Sequence, residues 1–328
     1  MRDYLISRRK LLILTAASAA AGCLPRFASA EGQTIRIGDV VDRHNPEVIT
    51  ENLMAKRLKE STGFDARVFP DGVLGSHTRM NEQLRNGTLE VTVTNVADLE
   101  GYDKRLGLFA MPFAFPDRKS LFAAQDGALG KAYAGILDNL GFVLLGWFDS
   151  GLRSVYNRTR PIHEPNDLKG LKIRTQGNQI MIATFNQLGA QATPLDTTQI
   201  YSALQQGVVD GAENSVTFFV QQHHSEVAKY YSYTNHFFSI DPMLASKKWF
   251  AALDPKKQDA VKEAAAQAQQ HERDLWLASD AKYLAEAKQA GVAFNDANLP
   301  AFQEAVKPIY TKYRSNFAEL GSYLPALG

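Results

Sequence analysis

The sequence predicts an α/β fold, and three observations carry that expectation. Short apolar strands alternate with helix-forming stretches from residue 34 to 94, and the alternation resumes from 155 to 211. A long helix-forming stretch without Pro or Gly then follows Asp254-Pro255. Chains patterned in this way pack helices against a sheet in layers.

Taken in order, Thr34–Gly38 reads as a strand and Pro46–Thr62 as a helix closed by Gly63. Phe64–Phe69 alternates apolar and polar residues, as a half-buried strand does, and Pro70-Asp71-Gly72 is a turn. Met80–Arg85 is helical and ends at Asn86-Gly87; Glu90–Thr94 is a strand. Phe142–Leu145 is a continuous apolar run, short enough for a fully buried strand, with Gly146-Trp147 after it. A second unit opens near Gly151. Val155–Asn157 reads as a strand, Asn166–Gly170 as a capped turn, and Leu171–Arg174 as a strand. Ile180–Leu188 is a helix ending at Gly189, and Ile200–Gln206 a helix ending at Gly207. Val208–Gly211 reads as a short buried strand. The stretch Lys256–Ala290 predicts two long helices, or one with a bend. A terminal helix is expected over Leu299–Ala318. There are no internal repeats and no low-complexity linker.

The first thirty residues belong to a different class of segment. Arg8-Arg9-Lys10 leads into an apolar run from Leu11 to Ala21, and Ala28-Ser29-Ala30 supplies the small residues of a cleavage site. The run is shorter than the roughly 20 residues that a bilayer of about 30 Å requires, so a signal peptide cleaved after Ala30 is expected rather than an anchor. The paired arginines resemble a twin-arginine signal, with a general secretory signal as the alternative. Cys23 follows Ala21-Gly22, but Ala20 stands where lipoprotein signals carry Leu. Cys23 is also the one cysteine of the chain, so the mature protein has no disulfide, thiolate metal site or cysteine nucleophile. Removing residues 1–30 takes away five basic residues and one acidic one, leaving 31 against 34. A mildly acidic chain without a basic tract is a poor nucleic-acid binder.

Few groups suggest catalysis. There is no Gly-x-Ser-x-Gly elbow and no phosphate-cradling Gly-rich loop with Lys. His223 and His224 are adjacent, so on a helix they diverge by about 100° and cannot share a metal; they read as a surface pair. No metal and no cofactor are expected. His44 precedes the helix that begins at Pro46 and is a candidate to touch an anion, with a plain turn residue as the alternative. Arg174 ends a strand, where ligands of open α/β folds are met, and Arg153 opens the second unit. An arginine grips a carboxylate through two parallel charged hydrogen bonds, each contributing about 1.5–3 kcal/mol. A micromolar complex needs about 8 kcal/mol, so one such clamp and several neutral hydrogen bonds suffice. A surface ion pair is the alternative for either arginine, and spacing alone does not decide.

Longer stretches carry a family resemblance. Gly151-Leu152-Arg153, Asn157-Arg158, Pro161-Ile162 and Asp167 to Arg174 resemble the periplasmic solute-binding subunits of TRAP transporters. So do Leu188-Gly189-Ala190, Thr193-Pro194-Leu195, Ile200 to Gln205 and Val209 to Asn214. Phe69-Pro70, Leu74-Gly75, Gly87 and Met111-Pro112-Phe113 extend the likeness over the whole mature chain. The resemblance implies a two-lobed periplasmic binding protein fold, with a ligand cleft between the lobes and a long bracing helix. It places lobe I at 31–151, with approximately 240–278 returning to it. Lobe II is then 152–239, with approximately 279–328 returning to it. It implies a monomer, with a dimer as the alternative, that hands a small organic acid to membrane permease subunits. It assigns Arg174 to the carboxylate clamp, Arg153 to a second arginine, and Asn214 and Asn95 to the cleft lining.

Two departures shape the expected ligand. Sialic-acid binders of this family have a small residue and Phe after a Pro-Met pair; here Asp196-Thr197 follow Pro194-Leu195. Gln199 stands where Glu is common. Asp196 suits hydroxyl partners and repels a second carboxylate, so a hydroxylated monocarboxylate such as a sugar acid is favoured, with Trp147 or Phe218 as stacking candidates. A four-carbon dicarboxylate or keto acid is the alternative within the family. A periplasmic lyase or hydrolase of small acids is the alternative outside it, weakened by the lack of a nucleophile–base pair, and a ligand-sensing domain is a third reading.

Overall fold

The computed structural model describes residues 34–323. The expectations for Arg8-Arg9, Cys23 and cleavage after Ala30 lie outside the described residues. The strands are β1 (Thr34–Gly38), β2 (Asp65–Phe69), β3 (Val91–Val93), β4 (Phe142–Asn157), β5 (Lys172–Thr175), β6 (Gln191–Pro194), β7 (Gly211–Asn214), β8 (Tyr230–Ser246) and β9 (Ala293–Asp296). Among the described residues they form one sheet in the order β2-β1-β3-β8-β4-β7-β5-β6, with β9 beside β8. Two parallel wings, β2-β1-β3 and β7-β5-β6, are joined through the antiparallel pair β4 and β8.

The local signals explain the wings. Asn45 caps the helix Pro46–Thr62 by accepting from the Glu47 N–H, and Gly63 closes it in the left-handed region at φ 75°. Ser76 caps the next helix, His77–Asn86, by accepting from the Arg79 N–H. That cap starts the helix three residues before Met80, the expected start.

The middle of the sheet departs from expectation. The expected strands Phe142–Leu145 and Val155–Asn157 are two ends of one sixteen-residue strand, β4. Its first part is only partly buried, not fully. Its partner β8, seventeen residues long, is not anticipated at all. The pair spans the sheet, and its register shifts between Leu144 and Gly146, Asp149 and Leu152, and Arg153 and Val155. Gly151 lies in the second shift at φ 86°. A Cβ there would stand 2.6 Å from Ser215 Cβ and 3.0 Å from Trp276 Nε1, so both backbone angle and space require glycine.

Other elements also shift. The strand expected at Val208–Gly211 begins only at Gly211, because Val208 is exposed on the preceding turn. The expected terminal helix breaks into Leu299–Ala305, Lys307–Tyr313 and a 3-10 turn. Pro308 has no N–H with which to continue the first piece, so a new helix starts around it.

The stretch after Asp254 is one helix, Pro255–Gln289. It packs on the first helix, on β4 and on the short helix Val216–Gln221. Val261, Ala264, Ala265, Ala268, Glu272 and Trp276 make its buried stripe at helical spacing. Glu272 in that stripe and Gln269 beside it have partners in β4. The Trp147 N–H donates to Gln269 Oε1 at 2.7 Å, and the Asp149 N–H to Glu272 Oε2 at 2.8 Å. Both donors flank register shifts of β4, where the ladder leaves them unused. Among the described residues, no helix is long and apolar enough to cross a membrane.

A group of buried carboxyls lies beneath β1 and the first helix. Asp39 Oδ1 accepts from the Val40 and Val41 N–H groups at 2.5 and 3.1 Å, while its Oδ2 has no partner among the described residues. Burial is the main cause that raises the Asp39 carboxyl to about 6. Burial also holds Glu47 and Glu51 well above the usual carboxylate range, and the charge of Asp39 adds to it.

Two outcomes are expected. Gly151→Ala destabilises the protein by about 3 kcal/mol or more through left-handed strain and overlap, lowering the melting midpoint by roughly 5 °C or more in a thermal melt. For Asp39, the folded carboxyl is raised above its ordinary 3.8, so its stabilising contribution is complete below 3.8 and lost as pH rises through about 6. The stability of Asp39→Asn relative to the wild type therefore rises between pH 4 and 7, by about 1–3 kcal/mol, in denaturant titrations at each pH.

Candidate functional site

The carboxyl ends of the parallel strands converge on one chamber. Val40 and Val41 follow β1, Asn95 follows β3, Arg174 and Gln176 stand at the end of β5, Thr197 follows β6, and Asn214 ends β7. Ser150 and Arg153 from β4, and Ser239 and Asp241 from β8, form its floor; His77 and Phe218 complete the wall. A ligand chamber at the carboxyl ends of strands is where open α/β sheets place one. It is narrow, with a cavity volume of about 20 Å³. An outer mouth of about 230 Å³ shares His77, Arg174 and Thr197 with it and is lined further by Asp98, Leu195 and Asp196.

The two arginines differ in kind. Arg153 donates from Nε and Nη2 to the two carboxylate oxygens of Glu213, at 2.6 Å each, and from Nη1 to Ser239 Oγ at 3.1 Å. Glu213 stands opposite Val155 in the β4–β7 ladder, so Arg153, two residues along β4, meets it diagonally. Burial opposes its charge, but Arg153 outweighs burial and holds the carboxyl down at about 2. His236 Nε2 also approaches Glu213, at 3.2 Å.

Arg174 is equally buried and has no carboxylate partner among the described residues. Its Nε and Nη2 donate to the Leu195 carbonyl at 2.9 and 2.6 Å, and Nη2 reaches Thr197 Oγ1 at 3.5 Å. These contacts engage one edge of the guanidinium and fix its plane. Burial, with Arg153 nearby, pulls Arg174 below its usual pKa. The chamber therefore contains one compensated cation and one uncompensated one, which is the electrostatic setting for a single anionic group.

The other expected residues divide. Asn214 Oδ1 accepts from Arg153 Nη1 at 3.3 Å. Asn95 is fully engaged: Nδ2 donates to Ser239 Oγ at 2.9 Å and Asp241 Oδ1 at 2.5 Å, and Oδ1 accepts from the Ala97 N–H. Phe218 lines the chamber, but Trp147 does not. Trp147 packs its ring 5.5 Å from Phe109 and 5.9 Å from Tyr133, in the core. His44 points to solvent and pairs with Asp42 at 2.7 Å; Asn45, not His44, faces inward, donating to Gln221 Oε1 at 2.8 Å. Asp196 is exposed at the mouth, at the head of a 3-10 turn, and does not line the inner chamber. The acid inside is Asp241, raised above its usual range by burial. His224 is not a surface residue: it is buried, bonded to the Tyr156 hydroxyl at 2.7 Å, and burial lowers it to about 3. Among the described residues, no cluster of three or more metal-ligating side chains occurs.

The sequence reading does not anticipate His77, Gln176, Ser239 or Asp241. Gln176 was open to inference from its position two residues beyond Arg174, at the same strand end. Ser239 and Asp241 were hidden because β8 itself was not seen.

Comparison with known proteins bears on this chamber. Residues 37–316 match the model of bacterial extracellular solute-binding protein, family 7. A solute-binding protein of Chromohalobacter salexigens is 32% identical over 275 residues, 82% of this chain and 81% of that one. A TRAP periplasmic solute-binding protein from Pseudomonas putida F1, solved with bound D-glucuronate, is 34% identical with a TM-score of 0.86, covering 90% of this chain and 97% of that one. Another, from a Sulfitobacter species with bound β-D-galacturonate, is 32% identical with the same TM-score, covering 89% and 98%. The match over most of the chain and the two solved relatives agree: the chain belongs to family 7 of the bacterial extracellular solute-binding proteins, the family of TRAP solute-binding proteins.

Proposed function

We propose that this protein captures a hexuronate, or a closely similar hydroxylated monocarboxylate, in the periplasm and delivers it to the permease of a TRAP transporter. The observation that carries this reading is Arg174, a buried guanidinium with no carboxylate partner among the described residues, set in a polar chamber. A ligand carboxylate completes its hydrogen bonding and its charge. Arg153 is already neutralised by Glu213, so the chamber calls for one carboxylate rather than two. Ser150, Ser239, Thr197 and Gln176 surround the remaining space with hydroxyl and amide groups, which match sugar hydroxyls. The uronates bound by the Pseudomonas and Sulfitobacter proteins support the same class.

Export through the segment 1–30 and cleavage after Ala30 would place the protein in the periplasm. The two wings of the sheet support a division into lobes at 31–151, with approximately 240–278, and 152–239, with approximately 279–328; closure of the lobes on the ligand would hold Arg174 and Thr197 of one against His77 and Asn95 of the other, as they stand around the chamber here.

Calorimetry tests the ligand class. D-glucuronate or D-galacturonate binds, and Arg174→Lys weakens binding by about a hundredfold, because an ammonium cannot reproduce the planar fork. Equal affinity in the lysine variant would remove the clamp from the reading. His44→Ala leaves affinity unchanged. Solution scattering shows a smaller radius of gyration with the bound uronate than without it; an unchanged profile would remove lobe closure.

A further inference from the structure

Besides Arg174, Gln176 is a polar residue of the chamber whose hydrogen bonding is left half made. Its side chain is 4% exposed. Its Nε2 donates to Asp98 Oδ2 at 3.2 Å, but its Oε1 has no partner among the described residues. The orientation of the amide follows from its neighbour. An ionised carboxylate only accepts, so the NH₂ must face Asp98 and the oxygen must face away from it. Asp98 is itself held by His77, whose Nδ1 lies 2.9 Å from the same Oδ2. Both His77 and Gln176 line the chamber. Burial works against a proton on His77, but the hydrogen bond and charge of Asp98 outweigh it and raise the imidazole above its usual value.

A buried acceptor without a donor is unfavourable until a donor arrives. Such an acceptor rejects a second carboxylate or a keto oxygen, which bring only lone pairs, and accepts a hydroxyl. We infer that Gln176, positioned by the Asp98–His77 pair, accepts a hydrogen bond from one hydroxyl of the ligand and so sets the selectivity of the chamber for hydroxylated monocarboxylates. This rests on the uronate reading and adds the residue that distinguishes a sugar acid from a dicarboxylate of similar size. Asp98 is a positioning residue here: it fixes which end of the amide the ligand meets.

The experiment compares hexuronates with their singly deoxygenated analogues on the wild type and on Gln176→Leu, by calorimetry. The wild type binds one deoxy analogue about ten- to a hundredfold more weakly than the parent sugar acid. Gln176→Leu binds the parent more weakly by a similar factor and no longer distinguishes it from that analogue. Asp98→Asn provides a second route, since an asparagine can donate to Gln176 and let the amide turn over. It loses the same discrimination and gains affinity for succinate relative to the wild type. A Gln176→Leu protein that keeps wild-type discrimination at every ring position overturns the assignment, as does an Asp98→Asn protein with unchanged selectivity should the leucine variant not fold. A wild type that binds no hexuronate overturns instead the uronate reading, and this inference with it.

Discussion

The antiparallel ladder between β4 and β8 is the contact on which the rest of the molecule depends. Each strand is long enough to cross the whole sheet, so each wing is hydrogen-bonded to the same pair. Parallel strands need crossover helices on their faces, and the wings supply them. The carboxyl ends of both wings then point at the middle of the ladder. Because β4 and β8 lie under both wings, residues from their centres, Ser150, Arg153, Ser239 and Asp241, become the floor of the chamber.

That floor carries an unusual distribution of charge. A buried ion pair contributes little net stability, because desolvation offsets most of the attraction, yet loss of one partner is severe. Arg153 and Glu213 fit that description, and their geometry satisfies nearly every donor and acceptor. The value of the pair lies in what it removes: one of two adjacent cations is made neutral. Arg174 is then the single strong attractor of the chamber, and the Leu195 carbonyl rather than an acid holds it in place. Two other buried carboxyls, in and behind the chamber floor, are satisfied in a different manner. Asp241 is tied to Asn95, and Asp39 to the backbone after β1, with burial favouring their neutral forms.

Much of the frame was legible in the sequence because its signals are local. The Gly63 cap and the apolar spacing before it fix the first helix to the residue, whereas the next begins three residues earlier than expected, at the Ser76 cap. The second wing is legible for the same reason, and so is Arg174 at its strand end; the places of Arg153 and Asn214 in the same chamber were reached only through the family resemblance. The central ladder was not. Tyr230–Ser246 has no clean alternation, since it is buried on both faces and bends at register shifts. Its polar residues, Ser239 and Asp241, could not be placed without it. Trp147 and His44 show the opposite difficulty. An aromatic residue and a histidine near the right elements carry no mark of direction, and only packing sends one to the core and the other to solvent.

The register shifts of β4 have a mechanical meaning. A ladder resists bending where its hydrogen bonds are complete, and yields where a bulge has already removed them. Between Asp149 and Leu152 the strand exchanges its usual partners for contacts made by its own side chains and by the long helix. The weakest point for flexure thus adjoins Arg153 and Ser150 in the chamber floor. Whatever occupies the chamber stands against that bulge, so filling the chamber and stiffening the ladder become one physical event.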